Sequence, residues 1–394
     1  MRDPELGSYR AFSGLWAAMV AGAANDNAIK TALVIAISVG GWRAFNLDPV
    51  LWANAAALCF IAPFILFASP AARLARTQPA KHWLVQLKTF EIVLALSALG
   101  ALWVQSAPWL LATVAGFGVQ SAFIGPLKYA LIPRVSTPHT LLRNNAWMEA
   151  GTFVAILMGT LLGADWVLAH PGALMTLSIA LAGIGLLALR ALPDWPAQSS
   201  AHTPGFRTLI TQVAQIPHQR SAIWCLSGFW AVGSVWLTHL PWLATDHWGL
   251  GTQAVSWLLA LFVVGVALGA LVGAFSGELE IVHRVLMGAL VLLAGSLWVW
   301  SSTGSMGPVG LVLAAAGGGY LALPLYTALQ QNADAVSDCI AVNNIANAAL
   351  IVSAALASMV AVSGLGWSVP LWLLILATTQ LLVCLYHRGN LRLD

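Results

Sequence analysis

Six ionisable side chains, Asp26, Lys30, Lys88, Glu91, Lys128 and Glu149, interrupt long apolar stretches in the first half of the chain, and their charges sum to zero. Residues three or four apart share a helix face, so Asp26 with Lys30, Lys88 with Glu91, and Asn145 with Glu149 each present one polar side. A charge in hydrocarbon costs at least about 2.5–3.5 kcal/mol, so such groups pair or line a wet cavity. Ser121, Gly125 and Pro126 come just before Lys128 and Tyr129. The proline removes a backbone hydrogen bond, which predicts a bent, locally polar segment beside the lysine. The chemistry these residues offer is recognition: Lys88 and Lys128 for an anionic group, Asp26 and Glu149 for a cation, with Asn27, Lys30, Glu91, Ser121, Tyr129 and Asn145 completing the polar surface. Against this stands the reading in which the charges only neutralise one another and pin helix packing.

The matching stretch of the second half is neutral, with Tyr326, Asn343 and Asn347, and a neighbouring apolar segment adds Trp236 and His239. One charged wall and one aromatic wall suit an amphiphile better than a sugar or an inorganic ion. His239 near a helix end reads as an interfacial residue, with a proton-carrying role open because a histidine titrates near neutrality. Cys59, Cys225, Cys339 and Cys384 are scattered without metal-ligand spacing, so they read as packing residues. No HExxH, GxSxG, Walker-type glycine loop or Cys/His cluster occurs. Neither an enzyme nor a metal, a cofactor or a nucleic-acid partner is expected.

The elements that must position these groups are membrane helices. Of 394 residues, 59% are apolar and 8% charged, whereas a soluble domain carries about 25% charge. Apolar windows predict twelve spans at about 12–39, 50–69, 83–105, 109–133, 142–165, 172–192, 221–244, 253–277, 282–302, 308–331, 339–363 and 368–387. The first is too long, and too polar at Asp26 and Lys30, for a cleavable signal peptide. The longest polar connection, 193–220, falls at the midpoint. It divides the chain into a six-helix bundle over 1–192, a cytoplasmic linker over 193–220 and a second bundle over 221–394.

With the N-terminus inside, thirteen of the seventeen Lys and Arg residues are cytoplasmic, Arg2, Arg10, Arg73, Arg76, Arg220 and Arg392 among them, and Arg43 alone is outside. Both termini are then cytoplasmic, in a bacterial inner membrane. Tryptophans such as Trp103, Trp109, Trp242, Trp248, Trp367 and Trp372 fall at predicted periplasmic helix ends, where an amphipathic ring anchors. Gly265, Gly269, Gly273 and Gly277, four apart, predict one helix face for close packing.

The halves echo each other at an offset of 198 residues: Pro126-Leu-Lys-Tyr-Ala-Leu matches Pro324-Leu-Tyr-Thr-Ala-Leu, and in the same register Asn145 and Glu149 fall on Asn343 and Asn347. Matched polar positions point to a six-plus-six duplication. Parallel six-helix repeats joined by a long cytoplasmic loop resemble the layout of the major facilitator superfamily, whose halves rock around a midplane site.

Within that layout the sequence resembles the lysophospholipid transporter family (LplT-type). The resemblance is carried by Ala24-Asn25-Asp26-Asn27-Ala28, Gly125-Pro-Leu-Lys-Tyr-Ala-Leu and Asn145-Ala-Trp-Met-Glu149-Ala, and by Ala341-Val-Asn-Asn-Ile-Ala-Asn347 in the second half. It implies flipping of lysophosphatidylethanolamine and lysophosphatidylglycerol to the cytoplasmic leaflet of the inner membrane. Reacylation would then fall to a separate acyltransferase/acyl-acyl-carrier-protein synthetase, since only Tyr386 to Asp394 follow the last span. A monomer is expected. By position, Asp26, Asn27, Lys128, Tyr129 and Glu149 match the family's polar sites. Two positions depart from the family pattern: Arg76 stands where the loop between spans 2 and 3 usually has an acid, and Trp236-Leu237 stands where a span-7 arginine is expected. The competing expectation is a proton-coupled exporter of drugs or siderophores, with Asp26 or Glu149 as proton carrier.

Overall fold

The computed structural model describes residues 4–38, 40–42, 49–137, 139–197, 205–251, 254–276, 279–330 and 336–391. Arg2, Arg43, Arg392, Gly277 and the linker stretch 198–204 lie outside the described residues. Fourteen α-helices account for nearly everything described: α1 (Pro4–Ser38), α2 (Pro49–Leu66), α3 (Ala68–Thr77), α4 (Ala80–Trp103), α5 (Ala107–Leu131), α6 (Leu141–Ala169), α7 (Pro171–Ala188), α8 (Phe206–Ala214), α9 (Pro217–Trp242), α10 (Ala254–Phe275), α11 (Ile281–Ser301), α12 (Gly307–Leu329), α13 (Val336–Ser358) and α14 (Val369–His387).

Ten helices among the described residues are long and apolar enough to cross a membrane, or eleven if a bent pair over 58–77 counts as one span. The chain is therefore a multi-pass membrane protein. Helix α1 falls short of that apolar criterion because Asn25, Asp26, Asn27 and Lys30 sit together in it, yet its 35 residues exceed a bilayer's thickness. With it, the total matches the twelve spans read from the sequence. The bent pair has a local cause. Pro70 has no N–H to offer the Leu66 carbonyl and its ring crowds that oxygen, and the axis turns by 59° at this point. Beyond the bend α3 is amphipathic, burying Ala71, Ala72 and Ala75.

The polar linker contains a helix that composition alone does not reveal. In α8, Leu209 and Val213 lie one turn apart and are buried, while Phe206 is exposed. Two tryptophans expected as interfacial anchors are packed inside instead: Trp248 is buried, and buried Trp372 donates through Nε1 to Ser358 Oγ at 2.7 Å. Trp103, Trp109, Trp242 and Trp367 are exposed at helix ends, as anchors should be.

The helices form two compact units. Unit 1 comprises 1–138, 154–207 and 333–341; unit 2 comprises 139–153, 208–332 and 342–394. The first fifteen residues of the α6 region thus cluster with unit 2, and the start of α13 with unit 1. In unit 1 the core is built from Ile29 and Leu33 of α1, Leu94 of α4, Leu110 and Phe117 of α5 and Leu174 of α7. In unit 2, α10, α11 and α12 pack backbone to backbone through small residues. A Cβ placed on Gly269 would collide with the Ala316 carbonyl oxygen, and one on Gly319 with that of Val266. The repeated proline motifs occupy the same place in α5 (Pro126) and α12 (Pro324), each inside a continuous helix.

Candidate functional site

In unit 1, α1 presents three consecutive polar residues to three different surroundings. About 100° separates successive side chains of a helix, so Asn25, Asp26 and Asn27 diverge. Asn25 faces α4 and α7: its amide donates to Glu91 Oε1 at 3.4 Å and accepts from Ser178 Oγ at 2.6 Å. Asp26 faces α5 and accepts a short hydrogen bond from the Ser121 hydroxyl on Oδ2. Its Oδ1 is buried and has no hydrogen-bond partner among the described residues. Asn27 turns back on its own helix, donating to the Ala23 carbonyl at 2.8 Å and accepting from Lys30 Nζ at 2.7 Å. Lys30 also lies over the Phe60 ring, 4.8 Å from its centroid. The sequence pairs Lys30 with Asp26; the structure hands it to Asn27.

Lys88 and Glu91, three apart on α4, form an ion pair at 2.6 Å with both side chains fully buried. Gln120 on α5 donates to the same Glu91 oxygen at 2.9 Å. The carboxylate thus meets a cation and two amide donors, which is what a buried charge needs to offset its lost hydration. Room for the ammonium comes from glycines. A Cβ on Gly22 of α1 would stand 2.5 Å from Lys88 Nζ, and one on Gly185 of α7 3.2 Å from it. Lys88 is therefore sealed among α1, α4 and α7 with its counter-charge beside it. Further along α5, Lys128 Nζ sits 4.2 Å from the Tyr129 ring centroid, a cation–π contact two to three residues past Pro126.

In unit 2 the polar groups around Asn145, Trp230 and Asn347 are neutral, and each of these has a partner. Asn145 and Gln330 exchange two amide hydrogen bonds, at 2.6 and 3.0 Å, and Asn145 also donates to Thr327 Oγ1 at 3.2 Å. Phe153 stacks on Trp230 with centroids 5.8 Å apart, and Trp230 Nε1 donates to Tyr326 Oη at 3.0 Å. Asn347 accepts from Ser227 Oγ at 2.7 Å. Asn343, one turn before it on α13, is buried with neither amide atom partnered among the described residues. The same holds for Trp236 Nε1 and His239 Nε2 on α9. Glu149 is buried on α6.

Of the residues singled out from the sequence, Asp26, Ser121, Lys88 and Glu91 thus come together in unit 1. Tyr326 meets Trp230 in unit 2, and Asn347 and Asn145 each have their own partners there. The sequence reading missed Asn25, Gln120 and Ser178, which finish the unit 1 network. Asn25 carried a signal, standing in the Asn-Asp-Asn run; Gln120 and Ser178 are single polar residues in apolar helices and carried little. Arg76 is paired with an acid: in unit 1 its guanidinium forms a short ion pair with Asp338 in the first turn of α13.

Two helical units, one with its buried Lys88–Glu91 pair saturated by neighbouring helices and the other rich in amides and indoles, and a proline-marked internal repeat fit the major facilitator fold. Solved structures bear out that fold. The chain superposes on the Escherichia coli fucose:proton symporter FucP with a TM-score of 0.75, covering 96% of this chain and 98% of that one at 14% identity. It also superposes on the human organic anion transporter MFSD10 with a TM-score of 0.71, covering 99% and 100% at 15% identity. Among curated proteins it is similar to the lysophospholipid transporters LplT of Yersinia pestis strain Pestoides F and Yersinia pseudotuberculosis strain YPIII, each 30% identical over 259 residues. That match covers 62% of this chain and 63% of each relative, just under two thirds of their length. No family model matches the chain.

Proposed function

We propose that the protein is a lysophospholipid transporter that moves lysophosphatidylethanolamine and lysophosphatidylglycerol to the cytoplasmic leaflet of a bacterial inner membrane by alternating access. It works as a monomer and not as an enzyme. The observation that carries this reading is the buried Asp26 carboxylate, with one oxygen held by Ser121 and the other unpartnered. In the same bundle Lys88 and Glu91 are matched to each other. A spare buried acceptor favours a donor arriving with the substrate, such as the ammonium of an ethanolamine headgroup or a glycerol hydroxyl. The similarity to lysophospholipid transporters supports the substrate class.

Roles follow from the partners each residue has. Lys88 and Glu91 hold α1, α4 and α5 in register and leave anion binding to the other lysines. Lys128, beside the proline of α5, takes the phosphate, with Lys30 and Asn27 adding to the polar surface of unit 1. Asn343, Trp236 and His239 offer unspent hydrogen-bonding groups to the glycerol region, and Phe153, Trp230 and Tyr326 an aromatic face to the start of the acyl chain. The moving bodies are residues 1–192 and 221–394 with 193–220 as their linker, and both termini face the cytoplasm. A separate acyltransferase would consume the product. Because lysophospholipids already partition into the bilayer, no ion gradient is needed to drive them.

A second reading rests on the same Asp26: a buried carboxyl with a spare oxygen is suited to carry a proton, as in a proton-coupled exporter of drugs or siderophores. Proteoliposomes loaded with labelled lysophosphatidylethanolamine separate the two. Under the first reading a protonophore leaves transport intact, while Asp26→Asn and Lys128→Ala each lower it by about tenfold. Transport abolished by the protonophore supports the exporter. Full activity in both variants removes the site.

A further inference from the structure

Within unit 2, α9 and α14 pack together, and beside the first turn of α9 and the last turns of α14 lies an open groove of about 910 Å³. Its walls change character along the helices. Arg220, Tyr386, His387 and Asn390 line the end at the helix termini, and Trp224, Thr379, Leu382 and Val383 line the rest. Trp224 is one turn further into α9 than Arg220, and Leu382 is more than a turn back from His387 along α14. Polar donors thus stand at the rim of the membrane-spanning segments and large apolar side chains just inside it. Trp224, Leu382 and Tyr386 are exposed, Tyr386 by 84%. For Trp224 and Leu382, a turn or more inside the helix ends, that exposure is toward lipid.

The hydrogen bonds at the polar end leave donors. Asn390 Nδ2 donates to Ser221 Oγ at 3.3 Å, and the same oxygen lies 2.9 Å from His387 Nδ1. The imidazole is thereby anchored through Nδ1. Arg220 gives one N–H to the Ala214 carbonyl at 3.4 Å, a single bond for a five-donor fork. Arg388 follows His387 in the chain, and among the described residues no Asp or Glu lines the groove. Donors and positive charge at the interface, an amphipathic Trp and Tyr, and an apolar wall beneath match the anatomy of a phospholipid whose headgroup is anionic.

We propose that this groove is a binding site for an anionic diacyl phospholipid of the surrounding leaflet. Its phosphate is held by Arg220 and His387, a headgroup hydroxyl by Asn390, and an acyl chain lies along Trp224 and Leu382. The lipid stays bound at the rim and is not the transported substrate, so the site stands whether or not the transport reading does.

Native mass spectrometry of the full chain in mild detergent, titrated with palmitoyl-oleoyl phosphatidylglycerol and with the phosphatidylcholine of the same chains, tests it. Tighter retention of phosphatidylglycerol is expected, weakened about fivefold by Arg220→Gln, in keeping with one interfacial cation, and kept by Arg220→Lys. Tyr386→Ala, on an exposed side chain, is expected to weaken both lipids alike. Inorganic phosphate and glycerol phosphate should not compete. Equal retention of the two lipids overturns the proposal, as does an Arg220→Gln variant that binds phosphatidylglycerol like the parent. Full displacement by inorganic phosphate also overturns it, by making the site one for soluble anions.

Discussion

Lys88 shows how far a single side chain departs from what its type implies. An intramembrane lysine reads as a ligand for an anion, but here both ends of the ion pair with Glu91 are sealed from solvent, and Gln120 and Asn25 add hydrogen bonds to the carboxylate. Removing one partner of such a pair leaves an uncompensated buried charge, at a cost of about 3–5 kcal/mol. Lys88→Ala is therefore expected to lower the thermal unfolding midpoint in detergent sharply. Lys88→Met combined with Glu91→Gln, which removes both charges and keeps one of the two amide donors on the side-chain oxygen, should recover part of the loss. Asp26→Asn is expected to behave oppositely: the amide oxygen still accepts from Ser121, so the unfolding midpoint should stay within a few degrees while transport falls. The i, i+3 spacing made the Lys88–Glu91 face legible in the sequence. Its sealing was not, because that depends on Gly22 and Gly185, two distant glycines whose only role is to leave space.

Among the helices, legibility tracked periodicity. The four-residue spacing of Gly265, Gly269 and Gly273 announced a close-packed face on α10, and in the structure Gly269 lies against the Ala316 backbone of α12. Gly269→Val is accordingly expected to destabilise unit 2 by about 1–3 kcal/mol. Gly233→Ala on α9, where no neighbour lies within 4 Å of the added carbon, should be neutral or slightly stabilising, since alanine is the better helix former. Parallel melting curves of the two variants check both. Helix α8 escaped notice because two buried residues, Leu209 and Val213, are too few for a period to stand out in a polar stretch. Trp248 and Trp372 were misread because a tryptophan near a helix end looks the same in sequence whether its ring faces lipid or the next helix.

For the whole molecule, composition and the internal repeat were enough to reach a multi-span membrane protein of the major facilitator fold. What they could not supply was the pairing of residues far apart in the chain. Arg76 stood out as a basic residue where an acid was expected, and only folding brings Asp338, 262 residues away, to meet it. If the pair matters through its charges, Arg76→Asp and Asp338→Arg should each cut transport by about tenfold, or ~1.4 kcal/mol. The double exchange should then restore most of it; a double variant as poor as either single would show that the positions act separately. The whole account meets its most direct test in proteoliposomes carrying labelled lysophosphatidylethanolamine in one leaflet and labelled diacyl phosphatidylethanolamine in a parallel set. Movement of the lysolipid to the opposite leaflet, dependent on the protein and absent for the diacyl lipid, is the expected result. A lysolipid that stays where it was placed, or a diacyl lipid that crosses equally fast, would contradict it.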